Sequence, residues 1–127
     1  MNYIFSAIFL YFFLGFLLYI FQRRIVFNKS GHPGAPKDYN LDNTEEVYIK
    51  TEDNLKLLSW YHKGDNSLPL LVYFHGNSFH IGDRAYRIQR YIEKNWSVLL
   101  VSWRGFGGNK GNPTEKNLYK DAEAVLK

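Results

Sequence analysis

The chain has 127 residues, with 16 Lys and Arg, 12 Asp and Glu and a formal charge of +4, and its first charged side chain is Arg23. An uncharged N-terminal segment therefore precedes a charged remainder the size of roughly one small domain. The absence of cysteine excludes disulfides, thiolate nucleophiles and Cys-based zinc sites. A mild positive balance with no Lys/Arg run beyond Arg23-Arg24 argues against nucleic acid as a partner. His32, His62, His75 and His80 lack a His-x-x-x-His spacing, and no metal or cofactor site is read from them.

Residues 3–21 are apolar except for Ser6 and Gly15, and at about 1.5 Å per residue they reach most of the way across a hydrocarbon core of about 30 Å. Residues 1–22 read as a transmembrane helix, with the lipid bilayer as partner. A buried core helix rarely lacks a polar face, and a cleaved signal peptide would carry a charged n-region and a small-residue cleavage site, neither of which is present. Arg23, Arg24 and Lys29 flank the C-terminal end, so the positive-inside rule places the following domain in the cytoplasm of a single-pass membrane protein. Residues 23–44 read as a juxtamembrane segment and linker, because residues 28–38 carry Ser, Gly and Pro without periodicity.

Residues 45–127 read as an α/β domain. Val47, Ile49 and Thr51 alternate with Tyr48 and Lys50, then Leu55, Leu57, Ser59 and Tyr61 alternate with Lys56, Leu58, Trp60 and His62. With Asp53-Asn54 as the turn between them, these runs predict an antiparallel hairpin. Residues 70–74 form an unbroken apolar run, expected to be a strand buried on both faces, and it ends in His75-Gly76-Asn77. Ile81, Ala85, Ile88 and Ile92 recur at helical spacing, predicting an amphipathic helix over roughly 82–94 that ends at Asn95. A second apolar strand over 96–103, a glycine-rich loop over 104–112 and a helix capped by Thr114 follow. The last helix has Leu118, Ala122, Val125 and Leu126 as its apolar stripe. A hairpin followed by strand, helix, strand, helix predicts a partly parallel sheet with ligands at the carboxyl ends of its strands, where the turns at His75 and Arg104 fall.

The turn His75-Gly76-Asn77-Ser78 has a specific chemical use. A glycine there lets the backbone turn tightly and leaves the following N–H groups free to face a developing oxyanion. The same pattern fits a turn that needs glycine for a positive φ and nothing more. His75, Ser78, His80 and Asp83 read as loop hydrogen-bonding and helix-capping residues rather than as a catalytic triad. Arg104 reads as a residue that binds a carboxylate or ties its loop down, and Asp121 as structural or surface.

The blocks Leu-Leu-Val-Tyr-Phe-His-Gly-Asn (70–77), Ile-Gly-Asp-Arg (81–84), Arg-Gly-Phe-Gly (104–107) and Gly-Asn-Pro-Thr-Glu (111–115), with Leu118-Tyr119 and Asp121-Ala122, resemble in content and order the first half of an α/β-hydrolase. The resemblance covers about 47–127 and is nearest to serine hydrolases anchored by an N-terminal apolar helix. It implies that the strand at Leu70 lies between the strand at Val98 and a later strand bearing the nucleophile. It also implies that His75 and Gly76 form the turn, and that the backbone N–H of Asn77 or Ser78 supplies half of an oxyanion hole for hydrolysis of an ester, thioester or amide. Ser78-Phe79-His80 departs from the small residues usual there, and its bulk would narrow an acyl site. The family's G-x-S-x-G elbow, acid and catalytic histidine are absent from these 127 residues. The expectation is therefore a membrane-anchored N-terminal fragment, inactive alone and of low stability when residues 38–127 are isolated. The alternatives are an interaction module that pairs through an exposed strand edge with a complementary hydrolase fragment, or a decayed gene remnant.

Overall fold

The computed structural model describes residues 2–127. Helix α1, Asn2–Val26, is apolar around its whole circumference and exposed along nearly all of its length. Its apolar span, Tyr3–Val26, is about 36 Å long at about 1.5 Å per residue, enough to cross a membrane by length and composition. The helix touches the rest of the chain through its last residues, and its exposed apolar surface is consistent with a membrane-spanning segment.

The rest of the chain builds a four-stranded sheet. Strands β2, Thr44–Lys50, and β3, Lys56–His62, pair antiparallel over their full length, from Thr44 opposite His62 to Lys50 opposite Lys56. Their turn is closed by Thr51, whose hydroxyl donates to Asp53 at 2.6 Å and accepts the Leu55 N–H at 3.0 Å. Asn54 takes the left-handed conformation there, which asparagine tolerates better than most residues. Strand β4, Leu70–Phe74, runs parallel to β6, Ser97–Val101, which pairs antiparallel with β3, giving the order β2-β3-β6-β4. The expected hairpin and the neighbouring strands at Leu70 and Val98 are both present, but β4 is not buried on both faces as expected: it is the edge strand of this sheet, exposed at Leu70 and half-buried over residues 71–74.

Helix α2, Ala85–Ile92, crosses between β4 and β6 and packs Ile88 onto Leu58, Trp60, Val98 and Leu100. The continuous helix expected from residue 82 starts instead as a 3-10 turn, Ile81–Arg84. Gly82 lies under the Tyr39 ring, so close that a Cβ there would collide with it, and the Asp83 carboxylate accepts the His80 N–H at 3.3 Å. The helix ends at Ile92, and the turn after it closes at the predicted stop, Asn95. Its left-handed backbone lets Asn95 N–H reach Ile92 O at 2.8 Å and Trp96 N–H reach Tyr91 O at 3.0 Å, while the Tyr91 and Trp96 rings meet.

Residues 28–38 are not a free linker. Pro33 and Pro36 are buried, Tyr39 donates its hydroxyl to Pro33 O at 2.6 Å, and Leu41 joins the core. The proline-rich composition that suggested a linker sets extended backbone and a 3-10 turn, Pro36–Tyr39, against the sheet. Asn28–Lys29 forms a short strand, β1, paired in parallel with β5, Ser78–Phe79.

Helix α3, Glu115–Leu126, begins at Thr114, whose side chain accepts the Asn117 N–H at 3.3 Å. Its apolar stripe is only half covered, and Leu126 is exposed. The helix is held instead by Asp121, fully buried, which accepts two bonds from the Arg104 guanidinium at 2.6 and 2.8 Å and one from the Arg104 N–H at 3.1 Å. Asp121 is thus an interior residue and not a surface one. Arg104 also donates to Asp53 at 2.7 and 3.2 Å, so one side chain ties the hairpin turn, the loop after β6 and α3 together. Hydrogen bonds to Arg104 and Thr51 hold Asp53 well below the usual carboxylate range, and Asp121 holds Arg104 above its usual value. Removing one partner of a buried pair strands the other charge, so Asp121→Ala should destabilise the full chain in mild detergent by about 3–5 kcal/mol, read from its urea midpoint. Lys127→Ala, which breaks only an exposed contact with Glu52, should leave that midpoint in place.

Candidate functional site

The turn after β4 lies at the carboxyl end of a parallel strand, beside the loop that leaves β6. The two are braced together. Trp103 donates its indole N–H to His75 O at 2.8 Å and its backbone N–H to His75 Nε2 at 3.3 Å. Its ring also stacks on Phe74 at 4.6 Å, and His75 meets the Phe106 ring edge-on at 5.0 Å. The loop leaving β6 is fixed in turn by Asn109, which accepts the Leu58 N–H and donates to Ser102 O and Trp103 O.

His75 is 3 % exposed, and burial, partly offset by the Gly76 backbone, lowers its pKa to about 4; Arg84 and His80 act in the same direction as burial. At neutral pH it is an uncharged imidazole whose Nε2 accepts a bond and whose proton is assigned to Nδ1. With Nε2 taken up by the Trp103 N–H, the ring ties the turn to the loop leaving β6. Ser78 Oγ bonds only Asn77 Oδ1, at 3.5 Å, among the described residues, while His80 Nδ1 lies 3.1 Å from Asp83. His75, Ser78, His80 and Asp83 are therefore neighbours in the turn that form no nucleophile–base pair.

A second clamp comes from the end of α1. Asn28 N–H donates to Asn77 O at 3.1 Å, and Asn77 Nδ2 donates to Val26 O at 2.9 Å. Arg84 adds a longer bond to Ser78 O at 3.4 Å. The Asn77–Ser78 peptide is thereby oriented from its carbonyl side. Neither the Trp103 brace nor the Asn28 clamp was read from the sequence. A two-residue strand carries no periodicity, although an indole beside a strand end is a recognisable donor in search of a carbonyl.

Gly76 differs from expectation. Its φ is not positive, and a Cβ built on it would meet nothing within 4 Å, so neither backbone conformation nor internal crowding calls for glycine there. The positive φ falls on Phe79, at 64°, where an aromatic side chain is held in the left-handed region and stands half exposed. The bulk at Phe79 thus projects from a strained backbone, and the space above Gly76 is open.

No family model matches the chain. An uncharacterized protein of Mycobacterium tuberculosis strain H37Rv is 33% identical over 118 residues, covering 87% of this chain and 41% of that relative. The chain spans about two fifths of the length of the curated relatives it matches. Among solved structures, an α/β hydrolase from Vibrio vulnificus is similar with a TM-score of 0.55 and 28% identity, over 68% of this chain and 30% of that one. The Pyrococcus furiosus esterase Pf2001 superposes with a TM-score of 0.60 at 22% identity, over 79% of this chain and 40% of the esterase. The fold of this chain is accordingly that of an α/β hydrolase over the part it spans.

Proposed function

We propose that this chain is the membrane-anchored, oxyanion-stabilising part of a serine hydrolase acting on an ester, thioester or amide, and that these 127 residues have no hydrolytic activity alone. Gly76 carries the reading. It is a glycine that the fold itself does not require, in open space at the carboxyl end of a parallel strand, between a His75 carbonyl held by Trp103 and an Asn77 carbonyl held by Asn28. A missing side chain at such a point leaves room for a substrate acyl group to approach the backbone N–H of Asn77 or Ser78. No G-x-S-x-G lies in the sequence, and neither histidine of the turn bonds Ser78. The nucleophile of this reading belongs to a strand paired with the far edge of β4, where Leu70 is 49% exposed and β6 is the only partner among the described residues. A complementary hydrolase fragment is one chain that could supply it. For α1, the apolar span followed by Arg23, Arg24 and Lys29 supports a membrane anchor with the domain on the cytoplasmic side.

Two measurements test the reading. Gly76→Ala should change the stability of the chain by no more than about 0.5 kcal/mol, and the wild-type chain should not react with a fluorophosphonate probe. A loss of stability well beyond that makes Gly76 a structural glycine, and robust labelling abolished by Ser78→Ala puts a nucleophile where none is proposed.

His75 gives a pH signature to the brace. Below about pH 6.5 the unfolded chain protonates His75 while the folded chain does not, so stability falls with pH until about 4, by at most about 3 kcal/mol. Thermal melts of the wild type and His75→Gln between pH 4 and 7 should diverge in slope, with the wild type losing more on acidification. Parallel curves would show that His75 is not held neutral.

A further inference from the structure

Arg23 and Arg24 in the last turn of α1, and Lys29 in β1, surround one cavity of about 530 Å³ at the foot of the helix. Phe27 and Asn112 are among its other walls, and no carboxylate lines it. None of the three cations forms an ion pair among the described residues. The helix dipole favours Arg23 and Arg24 at a C-terminus, but it does not account for Lys29, which belongs to a strand. The Lys29 ammonium, on an exposed residue, lies over the loop leaving β6, 3.3 Å from where a Cβ of Gly105 would stand. Phe27 packs edge-on against Phe106 at 6.2 Å and supplies an apolar wall. The volume is that of a small-molecule site, and the lining combines three like charges with an aromatic surface continuous with an apolar helix.

We propose that this cavity binds the phosphate of an anionic phospholipid headgroup, with Arg23, Arg24 and Lys29 as its ligands and the acyl chains directed along α1. The proposal rests on the membrane-anchor reading of α1, because only an anchored helix brings the cavity to the headgroup level. A free phosphate would satisfy the same three cations, but it would make no use of Phe27 or of the apolar helix.

The test uses the full chain in an uncharged detergent, where binding is measured apart from insertion. Titration with dioctanoyl phosphatidylglycerol should give saturable binding of one equivalent, weakened about fivefold by Lys29→Ala and roughly a hundredfold when Arg23→Ala and Arg24→Ala are added. Lys29→Arg should retain binding within about twofold, separating charge from folding, and Arg87→Ala with Arg90→Ala on α2 should leave it unchanged. Three results would overturn the proposal: equal binding of dioctanoyl phosphatidylcholine, an equal loss in the α2 pair, or inorganic phosphate binding as tightly as the lipid. Carbonate extraction of the chain from membranes reports on the anchor by itself, so failure of that reading is visible whatever the titration gives.

Discussion

The turn at the end of β4 can keep one shape only while two segments far apart in sequence hold it. On one side Trp103 reaches His75 with both its backbone and its indole N–H; on the other, Val26 and Asn28 take and give hydrogen bonds to Asn77. Each bond contributes about 1 kcal/mol, and no one of them would order a glycine-containing turn alone. Together they fix both the approach to the Asn77–Ser78 amide and its carbonyl side. Burial of His75 follows from the same arrangement, since an imidazole wedged between Phe106 and Trp103 has little water to stabilise its charged form.

That clamp depends in turn on the loop after β6 being rigid. Asn109 pins the loop to β3, and Arg104 pins its start to Asp121 and Asp53. A guanidinium that is almost completely buried can be retained there because it donates four hydrogen bonds to the Asp53 and Asp121 carboxylates, while the Arg104 backbone N–H donates a fifth to Asp121. The shape of the turn is thus supported by residues that never approach it. α1 enters the same network through its last residues, which connects a helix fit for a membrane to the most chemically suggestive part of the domain.

Much of this was legible in the residues. Alternation placed the hairpin, apolar runs placed β4 and β6, and the four-three-four spacing of Ile81, Ala85, Ile88 and Ile92 placed α2 against the sheet. Asn95 and Thr114 were readable as caps because their backbone chemistry is local. Contacts that depend on distant partners were not legible. Residues 28–38 have the composition of a linker, and only the presence of Tyr39, Gly82 and the turn at Asn77 makes them part of the fold. Asp121 lies in a helix with a weak apolar stripe, and nothing in its neighbours announces Arg104 as the partner. Gly76 was recognisable as special for a turn that frees the N–H groups after it; the alternative, a glycine needed for positive φ, does not hold, and open space lies beside it.

The segment leaving α1 holds the turn at Asn77. Hydrogen–deuterium exchange on the full chain, comparing the wild type with Asn28→Pro, tests it directly, because proline removes the N–H that donates to Asn77 O. Exchange should be faster across residues 76–80, with β3 and β6 as protected as before. Unchanged exchange at 76–80 would contradict it.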